Sequence, residues 1–315
     1  MSTPSNFTGG ETPLLAEEEV RSNFIKSFLL IGILVALVFG LSYLIGYEME
    51  DIETGILIGV IVSVIVIPVQ ILTAKWAILA MTHGRAADPH NLQERKAIHI
   101  VEGLAVSAGL SRTPPLYIIP SLEPNAFASG LGEGDAFVAV TQGLLNMMNK
   151  QELEGVIGHE IGHIVHRDII LNQLVVGLIS VLLILAFILE RVLLTKGLCD
   201  RRRNRNDGAA LAILVLVAIL IRPLASLLAS LIQFAISRKR EFAADAYSIQ
   251  ICNYNEGLAS ALEKLDRDSQ PYTKEEKDEL GGSHLAAMYI NFPCEGLFST
   301  HPPIAERVKR IRNMY

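Results

Sequence analysis

Residues 159–163 read HEIGH, which places two histidines four positions apart and a glutamate directly after the first. Residues four apart share one face of a helix, so the imidazoles of His159 and His163 can reach the same zinc ion. Glu160 then lies beside the open coordination position, where a carboxylate can take a proton from zinc-bound water. Zinc lowers the pKa of such water to about 7, so this base can act at neutral pH. The pattern predicts a hydrolytic site with one Zn²⁺ ion per chain.

A simpler interpretation of this motif is that two histidines and a glutamate on a helix face water. An apolar face along the same predicted helix argues against it: Leu153, Val156, Ile157 and Ile161. The motif is therefore predicted to lie on a helix that packs against a core.

The third zinc ligand is predicted to come from a second helix. His166 and Ile169 occupy the positions where a longer zinc motif would have glycine and histidine, and His166 is interpreted as a helix-surface histidine. Glu241 begins the segment EFAAD, and a glutamate from a second helix is the third ligand of His₂Glu sites. Asp245, one turn later, can accept a hydrogen bond from a ligand histidine, predicted to be His159. The alternative is that Glu241 is a surface carboxylate within a charge run.

Composition indicates an integral membrane protein. Half of the 315 residues are hydrophobic and 19% are charged, and the apolar residues are concentrated in four runs. The runs are residues 24–45, 55–78, 174–194 and 209–236. A helix of about 20 residues crosses a hydrocarbon core of about 30 Å. The sequence therefore predicts about four transmembrane helices and the lipid bilayer as a partner.

Charge and cysteine content exclude several other classes of protein. The net charge is −6, and the basic residues form no stripe with interleaved aromatics, so nucleic acid is not an expected partner. The three cysteines are odd in number and lack a CxxC pair, which argues against a disulfide framework and a cysteine zinc site.

The chain is predicted to have four parts. These are a disordered tail at 1–20, two transmembrane helices at 21–80, a transmembrane hairpin at 169–236, and a zinc protease domain formed by 81–168 together with 237–315. Periodicity and turn residues predict a helix at 92–110, strands at 116–119, 125–129 and 136–141, and a helix from about 150.

The predicted hairpin would bring both motifs to one side of the membrane, because its two ends emerge together. The acidic loop at 47–54 favours the outside, and the basic residues at 238–240 favour the cytoplasm. The basic loop at 195–208 opposes this topology. A hairpin that does not fully cross the bilayer is the alternative.

Four ordered motifs resemble the HtpX-type membrane zinc metalloproteases, which are relatives of the prenyl-protein CAAX endopeptidases. The motifs are HEIGH at 159–163 with Arg167-Asp168, EFAAD at 241–245, YIIP at 117–120 with PNAFASG at 124–130, and STHPP at 299–303 with Glu306-Arg307. The resemblance implies an α+β fold, with a mainly helical gluzincin-type protease domain that bears a small β-sheet. It also implies that His159, His163 and Glu241 bind zinc and that Glu160 is catalytic.

The resemblance further assigns residues beside the metal. It implies that 125–129 is an edge strand to which an extended substrate adds by main-chain hydrogen bonds. The substrate-binding residues are then Asn125, Ala126, Phe127 and Ala128. It also places His301 near the site, where it can stabilise the tetrahedral oxyanion. The alternatives are a plain edge strand and a structural histidine before a proline turn.

The function implied is cleavage of membrane proteins, misfolded ones above all, by a multi-pass endopeptidase of the cell (inner) membrane. Its active site would face the cytoplasm, and its role would be stress response and quality control. A CAAX-type processing protease is one alternative, although such relatives have more spanning segments. A non-catalytic membrane scaffold is another, and it would be expected to have lost a ligand or the base.

Overall fold

A computed structural model describes residues 31–47 (apart from 34), 50–170, 238–268 and 302–314, with the single positions 25, 29, 187 and 191. The predicted tail, the fourth apolar run, nearly all of the third run and His301 lie outside these described residues. The predicted domain boundaries that fall there stay predictions.

Apolar helices make up the first part of the described chain. Helix α1 spans Ile31–Tyr47, and a longer helix follows as α2 (Ile52–Ile61), a π-helical stretch (Val62–Val66) and α3 (Ile67–Met81). Within the longer helix, Ile52–Thr73 is the only stretch among the described residues that is long and apolar enough to cross a bilayer. The structure thus gives one candidate span where the sequence predicts four, because the other runs lie wholly or partly outside the described residues.

Small residues let α1 and α2 approach each other closely beside their connecting loop. A Cβ atom on Gly55 would lie 2.6 Å from the carbonyl oxygen of Ser42 and 2.7 Å from the Cα of Gly46. Asp51 begins α2 by accepting hydrogen bonds from the backbone N–H and the hydroxyl of Thr54, at 3.1 and 2.6 Å. Helices in lipid associate through this kind of small-residue contact.

The sheet has four short strands in the order β1-β2-β4-β3. They are β1 (Arg85–Ala86), β2 (Leu116–Ile119), β3 (Ala126–Ser129) and β4 (Phe137–Thr141). β2 and β4 are parallel, the other two pairs are antiparallel, and β3 is an edge strand. The three strands predicted from the sequence are present within one residue of their predicted ends, whereas the two-residue β1 was not predicted.

The end of α3 packs directly on one face of this sheet. Ile78 and Leu79 are buried in a cluster with sheet residues that include Phe127 and Phe137. The ammonium group of Lys75 lies 5.3–5.8 Å from the ring centroids of three aromatic residues, Trp76, Tyr117 and Phe137. The membrane helix and the sheet are therefore joined by a packed interface as well as by a loop.

Six further helices are described, some of which pack on the other face of the sheet while the rest pack on those helices. They are α4 (Leu92–Ser107), α5 (Gln142–Met147), α6 (Lys150–Val165), α7 (Arg238–Cys252), α8 (Glu256–Asp268) and α9 (Ile304–Arg312). Helix α6 is central, because it contacts α4, α7, α8 and strand β3. The main core collects apolar side chains from these elements, such as Ile157, Ile161 and Leu262. The mostly helical domain with a small sheet agrees with the predicted α+β class.

A capping box begins α6. The Asn149 side chain accepts from the backbone N–H of Glu152 at 3.0 Å, and the Glu152 carboxylate accepts from the backbone N–H of Asn149 at 2.8 Å. Glu152 is buried and also accepts from Ser260 and Lys264, both at 2.7 Å. Burial opposes ionisation, but Lys264, Asn149 and Ser260 together outweigh it and hold the pKa of Glu152 below its usual value. One carboxylate thus fixes the start of α6 against α8.

Replacing Glu152 by glutamine is expected to lower the free energy of unfolding at pH 7 by about 1–3 kcal/mol, because Lys264 loses its ionised partner. The native pKa of Glu152 is lowered, so its stabilisation is present above the unfolded value of about 4.3 and is lost as the pH falls through the native value. Melting temperatures of wild type and Glu152→Gln in detergent should therefore begin to converge as the pH falls below about 4.

The matched control is Glu154→Gln, two residues further along α6. Glu154 is less buried, and its ion partner among the described residues is the exposed Lys150, at 3.4 Å, so the control is expected to change the free energy of unfolding by less than about 0.5 kcal/mol. A difference between wild type and Glu152→Gln that stays constant from pH 7 to pH 3 would contradict this account.

Candidate active site

The last turns of α6 carry the residues of the HEIGH motif into the interior. His159 and Glu160 are buried, and the side chain of His163 is 14% exposed. Both histidines project from one side of the helix, with ring centroids 4.7 Å apart. The four-residue spacing therefore does place the two imidazoles together, as the sequence predicts.

Helix α7 lies against α6 at a glycine. A Cβ atom on Gly162 would lie 3.2 Å from the Cα of Ala244 and 3.3 Å from its carbonyl oxygen. The close approach brings the first turn of α7 over the two histidines. Glu241 is buried there and is not a surface carboxylate, so that alternative is wrong.

Three side chains converge at this point. Nε2 of His159 and Nε2 of His163 are 3.2 Å apart; the first lies 3.6 Å from Oε2 of Glu241 and the second 3.6 Å from Oε1. A tetrahedral zinc ion with bonds of about 2.0–2.2 Å requires ligand atoms about 3.3–3.6 Å apart. Within the described part of the chain, this is the only group of histidine, cysteine and acidic side chains arranged to hold a metal ion. The donors present therefore fit zinc in both type and spacing.

The buried charges around these atoms also call for a cation. Four buried carboxylates face two buried guanidinium groups: Glu160, Asp168, Glu241 and Asp245 with Arg240 and Arg307. The formal sum is −2 when the histidines are neutral, which one divalent ion would cancel. Burial alone would lower the pKa of His159, but its bonds to Asp245 and Glu241 raise that pKa to about 9. A bound metal would displace this proton.

Each histidine has a carboxylate behind it. Nδ1 of His159 lies 3.0 Å from Oδ1 of Asp245, and Nδ1 of His163 lies 3.0 Å from Oδ2 of Asp168. An Nδ1–H donated to the carboxylate leaves the Nε2 lone pair for a metal. The structure places Asp245 beside His159, where the sequence predicted it. The equivalent position of Asp168 behind His163 was not predicted.

Two arginines complete these contacts, and sequence reasoning gave neither a role. Arg307 donates from Nε to Oδ2 of Asp245 at 3.0 Å and from Nη2 to Oδ1 at 2.7 Å. Arg240 donates from Nη1 to Oδ1 of Asp168 at 3.2 Å. The only sequence signal for Arg307 was its place in a motif after the proline turn. Burial alone would lower the pKa of Arg307, but the nearby carboxylates of Asp245 and Glu241 raise it further above its already high value.

Glu160 lies between α6 and the edge of the sheet. The backbone N–H of Ala128 donates to Oε2 of Glu160 at 2.8 Å. Burial raises the pKa of Glu160, while the nearby histidines oppose that rise. A buried carboxylate whose pKa is raised is a stronger base than an exposed one.

Among the described residues, no strand pairs with the outer edge of β3, which lies next to Glu160. The N–H of Thr141 donates to the carbonyl of Asn125 at 2.9 Å, so hydrogen-bonded pairs fall at Asn125 and Phe127. The N–H and C=O groups of Ala126 and Ala128 therefore point away from β4. Asn125 is buried, and its N–H donates to the hydroxyl of Thr141. The Phe127 side chain packs with the end of α3, on the face of the sheet opposite α6.

The structure corrects one expectation and leaves another untested. His166 was interpreted as a surface histidine, but it is buried, and its ring lies 5.4 Å from that of Tyr247. It follows the last helical turn of α6, where α7 covers it. His301 lies outside the described residues, so its predicted role in oxyanion stabilisation stays a prediction.

Comparison with known proteins identifies relatives over most of the chain. A model of peptidase family M48 matches residues 91–315. A protease HtpX homolog from Dictyoglomus turgidum is 34% identical over 307 residues, which cover 96% of each chain. Another, from Streptococcus equi subsp. zooepidemicus, is 42% identical over 221 residues, covering 69% of this chain and 72% of the relative.

A solved structure is similar in fold. The crystal structure of Ste24p from S. mikatae aligns with a TM-score of 0.50 at 19% identity. The alignment covers 92% of this chain and 66% of that one, just under two thirds of its length. At this identity the likeness concerns the fold alone.

The close contact at Gly162 generates a test of the metal site. Gly162→Ala is expected to push α7 away by a few tenths of an ångström and to separate Glu241 from the histidines. Zinc affinity, measured by competition with a chromophoric chelator, should fall about tenfold or more. Gly103→Ala on α4 is the control, because a Cβ there meets no atom within 4 Å, and the same substitution should leave zinc affinity unchanged. Equal affinity in wild type and Gly162→Ala would show that the glycine does not set the ligand spacing.

Proposed function

The chain belongs to peptidase family M48 and is a membrane metalloprotease, and on that premise we propose a zinc endopeptidase with a defined active site. His159, His163 and Glu241 hold one Zn²⁺ ion, and Glu160 is the general base. The observation that carries the proposal is the convergence of three ligand side chains, which offer one ligand atom each within 4.8 Å of one another, beside a buried carboxylate. The similarity to protease HtpX homologs agrees with it.

Zinc, when bound, supplies a Lewis acid for the scissile carbonyl and lowers the pKa of the attacking water. Glu160 takes the proton of that water and then gives it to the leaving amine. Its Oε2 is held by the N–H of Ala128 at 2.8 Å, so we assign the proton transfer to Oε1. The same hydrogen bond fixes the carboxylate without changing its charge.

The substrate is proposed to bind as an added strand along β3. The outward N–H and C=O of Ala126 and the outward C=O of Ala128 are the groups available to an extended chain. Main-chain hydrogen bonds depend on the extended conformation of the substrate and little on the identity of its side chains, so this mode of binding suits a protease of broad sequence preference. A segment already folded into its own helix or sheet cannot pair in this way. Unfolded segments, and hence misfolded proteins, are the class of substrate that the edge favours.

Membrane proteins are the proposed source of these segments. The candidate span ends at Thr73, and Ile78 and Leu79 contact the sheet five and six residues later. That separation is about 8–9 Å along a helix. The sheet that bears the edge strand is thus fixed close to the end of the span, within reach of chains that leave the bilayer nearby.

The cytoplasmic face of the cell (inner) membrane is the proposed location of the active site. Lys75, Arg85, Arg95 and Lys96 all lie between the end of the span and the middle of α4, and positive residues favour the cytoplasmic side. We also propose that residues 81–168 and 237–315 form one protease domain, which the contact between α6 and α7 supports. Residues 169–236 are proposed to be the membrane hairpin that joins them.

The alternatives are less well supported. A CAAX-type processing protease would draw on the likeness to Ste24p, but that likeness is 19% in identity, against 34–42% for the two HtpX homologs. A non-catalytic scaffold would be expected to lack a ligand or the base. All four residues are present and lie together.

The central prediction concerns Glu160→Gln in full-length protein purified in detergent. The variant should bind about one zinc per chain, as wild type does, because Glu160 is not a proposed ligand. Its rate of casein cleavage should fall by at least about 10²–10⁴-fold, the usual share of general acid–base catalysis. Zinc content and peptide release measure the two properties separately.

The control is Glu102→Gln on α4, an exposed carboxylate that should leave cleavage unchanged. Removing zinc from wild type with a chelator should abolish cleavage, and adding zinc back should restore it. Equal cleavage by Glu160→Gln and wild type would show that Glu160 is not the base.

A second prediction concerns the class of substrate. The enzyme and an unfolded reporter anchored by one transmembrane helix are reconstituted in the same vesicles, and the same reporter without its anchor is added at equal total concentration. Sharing the bilayer raises the local concentration of the anchored reporter, so it should be cleaved faster. Equal rates would contradict the preference for membrane proteins, while leaving the peptidase assignment intact.

A further inference from the structure

Two matching sets of contacts extend outward from the proposed metal site. In one set, His159 lies 3.0 Å from Asp245, which accepts two hydrogen bonds from Arg307. In the other, His163 lies 3.0 Å from Asp168, which accepts one hydrogen bond from Arg240. Each proposed histidine ligand is thus followed by an aspartate and then by an arginine.

These aspartates and arginines are buried. Asp245 and Asp168 are each 1% exposed, Arg307 is 0% exposed and Arg240 is 5% exposed. Moving charges out of water costs several kcal/mol per ion, and a buried pair often stabilises a protein no better than apolar residues would. Stability alone therefore does not account for two such pairs in one small region. Both pairs end on the Nδ1 atom of a proposed zinc ligand.

The arginines reach the site from different parts of the chain. Arg240 immediately precedes Glu241 on α7, and Arg307 lies on α9, near the C-terminus. Nη1 of Arg307 also lies 3.8 Å from Oε2 of Glu241, so this guanidinium faces two acidic groups of the site. Nη2 of Arg307 and Nδ1 of His159, 3.4 Å apart, are two donors that share Oδ1 of Asp245.

We propose that Arg240 and Arg307 are positioning residues of the metal centre. Each holds an aspartate in the orientation that accepts the Nδ1–H of one histidine, and that bond aims the Nε2 lone pair at the metal. The inference rests on the proposed ligand set and goes beyond it, since neither arginine is proposed to touch zinc or substrate. It also makes α9 a part of the metal centre.

The two arginines differ in geometry, and the difference separates their expected behaviour. Arg307 uses two nitrogens on the two oxygens of Asp245, a fork that lysine cannot reproduce. Arg240 uses one nitrogen on one oxygen of Asp168, which a lysine ammonium can replace. Lysine should therefore restore function at position 240 and fail to restore it at position 307.

If the arginines acted on zinc affinity only through their charge, their removal would change that affinity in the opposite direction from a loss of positioning. Removing a positive charge near a dication reduces repulsion, so it should tighten metal binding. Loss of positioning should weaken metal binding, because substitutions behind metal ligands commonly cost about 10–100-fold in affinity or activity. The direction of the change therefore distinguishes the two explanations.

The test uses full-length protein in detergent, with Arg240→Met, Arg240→Lys, Arg307→Met and Arg307→Lys. Zinc affinity is measured by competition with a chromophoric chelator, and the melting temperature of each metal-free protein is recorded. Both methionine variants are expected to bind zinc about 10–100-fold more weakly. Arg240→Lys should bind as wild type does, and Arg307→Lys should remain weakened.

Arg85→Met is the matched control. Arg85 makes a two-pronged contact to the buried Glu94, at 2.7 and 2.8 Å, outside the metal site. Its loss should lower the melting temperature and leave zinc affinity unchanged. A similar affinity loss in Arg85→Met would overturn the proposal, because general loosening would then explain the result.

Unchanged or tighter zinc binding in the two methionine variants would also overturn it. If the methionine variants do not fold, the lysine variants decide. Full zinc affinity in Arg307→Lys would show that the two-nitrogen contact of Arg307 with Asp245 is not needed, and would overturn its proposed positioning role. Failure of the ligand set itself gives a different result, because wild type would then not bind one zinc ion.

Discussion

Direct contact between α6 and α7 is the constraint on which the proposed active site depends. One helix carries both histidines and the other carries the glutamate, so their separation sets the spacing of the ligands. Gly162 lets the Cα of Ala244 approach closely, and Glu241 then comes within 3.6 Å of each imidazole. A glycine inside a helix costs about 1 kcal/mol relative to alanine. The close packing that this glycine permits sets the ligand spacing that a zinc ion requires.

Burial of charge is the second consequence of that contact. Four carboxylates and two guanidinium groups lie in the interior with the histidines, where an unpaired charge would be very costly. The pairs His159–Asp245 and His163–Asp168, each continued by an arginine, satisfy most of this charge. A divalent ion would supply the remainder. The same groups that would orient the ligands therefore also make a cation favourable at that point.

The sheet links this site to the membrane. One face packs on Ile78 and Leu79 at the end of the membrane helix, and the other face lies under α6. Its edge strand β3 touches Glu160 through Ala128. A substrate that adds to this edge would therefore lie at a fixed position relative to both the bilayer and the base. The candidate span and Glu160 are thus connected through the packed strands of the sheet.

Local spacing let the sequence predict much of this protein. The four-residue separation of His159 and His163 requires only helix geometry, and the three main strands follow from short-range apolar patterns and turns. The buried Asp168–Arg240 and Asp245–Arg307 pairs had no such signal, because 72 and 62 residues separate the partners. A charged residue in a basic or amphipathic helix resembles a solvated one until packing encloses it. Tertiary structure alone decided those partners, since burial and proximity are properties of the assembled helices.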